Sequence, residues 1–138
     1  MELTLRKLEP VDAPLLQALV DTPDVGSMAG LPKTWSAVIA LDRAFVYAWG
    51  EPLRGAFVLH ERKDGTVGPH VLIHPDARGE EAVLCGKAMV AILLHHGYRI
   101  VGRTPRARRD ALAYAYAIGM QRIGSEGDEV ITEAACGC

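Results

Sequence analysis

One segment limits what this chain can become. Val71–Ile73 is strand-like and runs through His74-Pro75-Asp76-Ala77-Arg78-Gly79 into an apolar stretch from about Glu80 to His96. Its run of Ala, Val, Leu, Ile and Met predicts a helix of about 17 residues, apolar on almost every face and so buried rather than amphipathic. Gly97 stands where a glycine commonly stops a helix. The stretch is too short, and too closely flanked by charge, to span a bilayer. A strand that enters a helix through Arg78-Gly79 leaves unpaired backbone N–H groups at the helix start, where an anion can sit.

The rest of the composition narrows the class. A length of 138 residues suits one domain, and 49% apolar residues can build a sizeable core. The formal charge of −2 gives no global pull toward nucleic acid or an anionic membrane. Met-Glu-Leu-Thr-Leu-Arg-Lys lacks the pattern of a secretory signal, and no stretch reads as a membrane span. Three cysteines, one of them within the apolar helix, point to a reduced, cytoplasmic setting rather than a disulfide framework.

Taken in order, Glu2–Leu8 alternates as a first strand. Asp12 can cap a helix that carries Leu15, Leu16, Leu19 and Val20 on one face. Asp21–Lys33 is broken by Gly and Pro and reads as a loop. Thr34 can cap a second helix with Trp35, Val38 and Ile39 on one side. Ala44–Trp49, Gly55–His60 and Thr66–His74 read as strands, the last two joined at the hairpin signal Asp64-Gly65. After the central helix come a strand at Tyr98–Val101, a helix over Arg108–Ile118, and short strands at Met120–Ile123 and Val130–Thr132. The order β-α-α-β-β-β-α-β-α-β-β implies an α+β fold, a mixed, mostly antiparallel sheet with helices on both faces.

Ile73-His74-Pro75-Asp76-Ala77-Arg78-Gly79 resembles the V-x-P-x-x-R-G entry to the acyl-CoA-binding motif of the GNAT-superfamily N-acyltransferases, and the element order matches theirs over essentially the whole chain. The resemblance implies one GNAT-like acyl-CoA N-acyltransferase domain over residues 1–138. It implies acetyl-CoA as co-substrate, with the pantetheine arm held by backbone at Ile73 and His74. The pyrophosphate would be held by N–H groups across Arg78, Gly79, Glu80, Glu81, Ala82 and Val83. The family loop usually reads [RQ]-x-x-G-x-[GA]. Arg78 and Gly79 match its start, whereas Glu81 and Val83 occupy the small positions. Arg78-Gly79-Glu80-Glu81-Ala82 also fits the R-G-x-x-A variant of compact GNAT-like proteins of tailed phages. Arg103–Arg109 holds four arginines, of which Arg108 is a candidate for the CoA phosphates; a nucleic-acid patch is the weaker reading, and a solvated helix start the plain one.

Arg108–Met120 resembles the family's N-x-x-A-[IL]-x-x-Y-x-x-x-G-[FM]. Ala111, Leu112, Gly119 and Met120 match, but Ala115 stands where the family's tyrosine protonates the departing thiolate. Tyr114 and Tyr116 flank that place, each about 100° away around the helix, and are the candidate acids; the plain reading makes both packing residues. His70 shares a strand face with Leu72 and His74 and can titrate near neutral pH, which makes it a candidate base or a structural histidine. His95 and His96 point in different directions and suit a helix C-terminus rather than a shared metal. Cys136-Gly137-Cys138 has no second pair at ligand spacing, and no metal site is expected.

The function expected is transfer of acetyl from acetyl-CoA to an amine by direct, base-assisted attack, with Asp21–Lys33 shaping the acceptor pocket. A homodimer is possible, with Ile131 and Ala134-Ala135 as contributors. The alternative is a GNAT-fold phage or prophage assembly or interaction protein without catalysis, suggested by the altered loop and the missing tyrosine.

Overall fold

The computed structural model describes residues 4–28, 31 and 34–134. The chain runs β1 (Arg6–Lys7), a 3-10 turn (Pro10–Asp12), α1 (Ala13–Val20), α2 (Val25–Met28), α3 (Ala37–Arg43), β2 (Phe45–Trp49), β3 (Gly55–Glu61) and β4 (Thr66–Ile73). A second 3-10 turn (Pro75–Ala77) leads into α4 (Glu80–His95), then β5 (Arg99–Pro105), α5 (Arg109–Ala117), β6 (Gln121–Glu126) and β7 (Glu129–Ala134). The strands form one sheet in the order β1-β2-β3-β4-β5-β7-β6. Every neighbouring pair is antiparallel except β4 and β5. The α+β fold expected from the element order is the fold observed.

Strand alternation divides the core in two. Val46, Ala48, Ala56, Val58 and Leu72 face α1, α2 and α3, where Leu16, Leu19, Val25, Ala37 and Ala40 meet them. Trp49, Phe57, Leu59 and Val67 face the other way, onto Cys85, Met89, Val90 and Leu93 of α4 and onto Ile118 and Met120 after α5. The β3–β4 hairpin turns as Asp64-Gly65 predicts. Gly65 takes φ 84°, Gly65 N–H bonds the Arg62 carbonyl, and Asp64 accepts from both the N–H and the hydroxyl of Thr66.

Several expectations need correction. Helix α4 is amphipathic rather than buried all round. Ala82, Cys85, Gly86, Met89, Val90 and Leu93 repeat at the spacing of one helical face and are the buried set, while Leu84 is half exposed. The sheet covers only one side of the helix, so the apolar residues elsewhere on it stay at or near the surface. Helix α3 starts after Ser36 rather than Thr34, with its Ala37 N–H held by the Gln17 side chain of α1. It buries Ala37 and Ala40, whose small side chains let it lie close to the sheet, and turns Val38 and Ile39 outward. The segment read as a loop, Asp21–Lys33, contains the short helix α2. Strand β1 is reduced to two residues, and β5, β6 and β7 run longer than their apolar cores suggest because polar edge residues join the ladders. The tail Cys136-Gly137-Cys138 and Ala135 lie outside the described residues.

Candidate active site

The two parallel strands barely pair. Thr66 faces Arg99 and Val67 faces Ile100, and beyond these two positions β4 and β5 part. A cavity of about 780 Å³ occupies the opening. Its walls are Val71 and Ile73 of β4, Gly102–Pro105 of β5, Arg78 and Gly79 before α4, Ala82 in the first turn of α4, and Ala111, Tyr114 and Ala115 of α5.

The ladder explains what the open edge of β4 offers. His74 N–H bonds the Arg54 carbonyl across the β3–β4 ladder. Antiparallel pairs alternate between bonded and non-bonded, so Leu72 and His70 also turn their backbone groups to β3, whereas Val71 and Ile73 turn theirs outward. Those outward groups face the gap that β5 has left. This corrects the role of His74: its backbone N–H is spent on β3, and its Nδ1 accepts from Asp76 N–H at 3.1 Å, closing the 3-10 turn.

At one end of the gap stands the start of α4. Gly79 precedes the helix at φ 100°, in the left-handed region that favours glycine, and no side chain caps the first turn. Glu81 does not reach into the cavity. Its carboxylate takes the Arg54 guanidinium at 2.7 and 3.1 Å and the Trp49 indole N–H at 2.9 Å. The Arg54 hydrogen bonds hold its carboxyl below the usual carboxylate range, against the opposing effect of burial. Gly55 makes this possible, since a Cβ there would collide with the Trp49 ring. Glu80 is exposed, and neither Glu80 nor Val83 lines the cavity. Arg108 lines it beside Asp110, whose carboxylate lies 3.3 Å from its Nε.

The two candidate tyrosines separate. Tyr114 lines the cavity and its hydroxyl donates to the Ala82 carbonyl at 2.8 Å. Burial pushes its ionisation well above that of an ordinary phenol, so it keeps its proton at neutral pH. Gly86 makes room for it: a Cβ there would run into the Tyr114 hydroxyl and Ile118. Tyr116 is 46% exposed and does not line the cavity. Burial likewise pushes the Cys85 thiol up to about 11, with the Glu81 charge adding to it, so Cys85 stays a neutral packing group.

On the opposite face of the sheet the cavity is bounded by His60, Arg62 and His70 with Val25 of α2. The rings of His60 and His70 meet edge to face, 5.3 Å between centroids. His60 was missed in the sequence, although the hairpin register would have found it. Val58 faces His70 and His60 faces Gly68, which puts both imidazoles on one face. A last wall residue is Thr132 of β7, 1% exposed. Its hydroxyl has no hydrogen-bond partner among the described residues and lies 3.1 Å from where a Cβ on Gly102 would be. Among the described residues no group of His, Cys, Asp and Glu is placed to hold a metal, and no helix is long and apolar enough to cross a membrane.

No protein-family model matches the chain, and no curated protein matches its sequence. Solved structures do match in shape. The ribosomal-protein-S5-alanine acetyltransferase of Vibrio fischeri superposes with a TM-score of 0.79 at 10% identity, over 98% of this chain and 93% of that one. An aminoglycoside acetyltransferase in complex with coenzyme A gives 0.77 at 15% identity, over 97% and 95%. The PaiA N-acetyltransferase of Thermoplasma acidophilum, also in complex with coenzyme A, gives 0.74 at 15% identity, over 99% and 100%. Acetyltransferases of the GNAT family from Streptococcus pneumoniae and Bacillus anthracis superpose as well, with TM-scores of 0.74 and 0.71 at 17% and 18% identity, so the described residues have the GNAT fold.

Proposed function

We propose that the protein is an acyl-CoA-dependent N-acyltransferase, acting on an amine. One observation carries this reading: the sheet opens between β4 and β5 beside a helix start that no side chain caps, and the first-turn carboxylate of Glu81 is tied back by Arg54 and Trp49. Such a slot suits a ligand with an extended amide-bearing arm and a pyrophosphate. The outward backbone groups of Val71 and Ile73 take the arm as a strand would. The first-turn N–H groups of α4, with Arg78 beside them, take the pyrophosphate. Arg108 lies where a further phosphate oxygen can be met.

Acyl-coenzyme A would supply a thioester whose carbonyl carbon accepts an amine nitrogen. The chain mainly holds the two partners together. As the C–N bond forms and the C–S bond breaks, the amine loses a proton and the sulfur gains one. His70, with His60 against it on the acceptor face, is placed to receive the amine proton directly or through one water. Tyr114, on the cavity wall, is the candidate acid for the departing thiolate, a role for which its hydroxyl must turn from the Ala82 carbonyl to which it donates. The solved structures that match in shape are named for unlike acceptors, the alanine of ribosomal protein S5 in one and an aminoglycoside in another. The non-catalytic alternative loses part of its support, because Glu81, one of the two residues that depart from the family loop, is turned aside.

Thermal melting tests the reading. Acetyl-CoA and desulfo-CoA at about 100 times their dissociation constant should each stabilise the fold by roughly 2.7 kcal/mol, several degrees in a domain of this size. Arg78→Glu should remove most of that shift while leaving the unliganded melting point close to the parent's. No shift at millimolar ligand would overturn the proposal.

A further inference from the structure

Ala115 lines the cavity from α5 with a side chain no larger than a methyl group. Ala111 and Ala115 present methyl groups to the cavity from α5, and Gly102 presents none from β5. Ile118 and Met120 close the far wall. Thr132 stands beside these apolar side chains in the recess, with a buried hydroxyl that has no hydrogen-bond partner among the described residues. A buried hydroxyl without a partner is costly, and a threonine keeps that cost only where valine would serve less well. The recess lies on the face of the sheet that carries α4 and α5, beside the point where β4 and β5 part, and so next to the bottom of the slot where the thioester would end.

We propose that this recess is an acyl pocket, and that the protein prefers a donor whose acyl chain is longer than acetyl and carries an uncharged oxygen that hydrogen-bonds the Thr132 hydroxyl. The inference rests on the acyl-CoA reading above. The chemistry of the walls narrows the group further. Ala111, Ala115, Ile118 and Met120 offer apolar contact, which an acetyl methyl would leave largely unused. The threonine hydroxyl both donates and accepts, so it serves either a 3-hydroxy or a 3-oxo group. Arg103 does not serve the recess, because it pairs in register with Ile131 on the opposite face and is taken by Glu126 at 3.1 Å. Transfer is unchanged by the longer chain: the amine nitrogen bonds to the thioester carbonyl carbon, the sulfur leaves with its electron pair and is protonated, and the acyl oxygen at the third carbon takes no part.

Acyl-CoA binding needs no acceptor and can be measured directly. Isothermal titration of the intact protein with CoA, acetyl-CoA, butyryl-CoA and 3-hydroxybutyryl-CoA separates the terms. We expect 3-hydroxybutyryl-CoA to bind roughly tenfold more tightly than butyryl-CoA, the worth of one buried hydrogen bond. Thr132→Val should abolish that difference and Thr132→Ser should keep it. Because Thr132→Val removes an unsatisfied hydroxyl at constant shape, the variant should melt no lower than the parent, so loss of the preference would not reflect loss of the fold. Gly102→Ala should weaken both four-carbon donors relative to acetyl-CoA. Equal affinity for all three acyl donors, or a preference that survives Thr132→Val, would overturn the acyl pocket while leaving the CoA site intact. Failure of CoA itself to bind would instead overturn the reading on which the pocket rests.

Discussion

At the scale of single residues, Glu81 decides the character of the site. A carboxylate in the first turn of a helix is favoured by the helix dipole, yet it competes with any phosphate bound there. The chain keeps the first effect and avoids the second by aiming the side chain sideways, onto Arg54 and Trp49. Because the pair lowers the Glu81 pKa in the folded state, it adds stability that is present above the ordinary carboxylate pKa of 4.5 and is lost as pH falls through the lowered value. Glu81→Gln should therefore cost about 1–2 kcal/mol at pH 7 in urea denaturation, and less at a pH low enough to protonate Glu81 in the folded parent. An equal cost at both pH values would show that the charge is not what the pair uses. None of this was legible in the sequence. Glu81 sits where a phosphate-repelling group would sit, and its partners are 27 and 32 residues away on a hairpin. The entry to α4 at Arg78 and Gly79 was legible because its geometry is local: an extended residue and a positive-φ glycine at the start of a helix.

At the scale of elements, the contact of α4 with α5 is set by Gly86. The Tyr114 ring lies where a side chain at position 86 would be, and its hydroxyl reaches the Ala82 carbonyl one turn earlier. Gly86→Ala would gain helix propensity on an isolated helix. Here it should instead destabilise the fold by about 1–3 kcal/mol, because the methyl group meets Tyr114 and Ile118 in a packed interface. A melting point at or above the parent's would mean that α5 can shift outward freely. The hydrophobic pattern found the central strands and the long helices with boundaries close to those observed, but among the described residues it drew the first strand too long and the last three too short. It misjudged the faces of α3 and α4, because an apolar residue is compatible with burial but does not demand it, and the layer that would cover Val38, Ile39 or Leu84 is not written into their own spacing.

At the scale of the molecule, the site exists because one strand pair is left incomplete. A seven-stranded sheet could close its middle and gain ladder hydrogen bonds; instead β4 and β5 share two positions and then separate, each held by its other neighbour. The parting appears nowhere in the residue pattern of either strand. It was reachable only through resemblance to a fold that carries it, whereas the two cores and the strand order followed from alternation and turn chemistry.

The tie between Glu81 and Trp49 also makes the protein its own indicator. The indole N–H is fixed to a residue in the first turn of the helix whose end would receive the pyrophosphate, so the charge felt by that chromophore changes when an anion arrives. In a Trp35→Phe background, which leaves Trp49 as the sole tryptophan, titration with CoA should shift or quench the emission in step with binding, and Arg78→Glu should silence the response. Emission that stays constant through a calorimetrically verified binding transition would show that α4 takes up its ligand without disturbing the hairpin it is anchored to. If the emission responds, the protein can be screened against donors and candidate acceptors by light alone, with no label and no knowledge of the product.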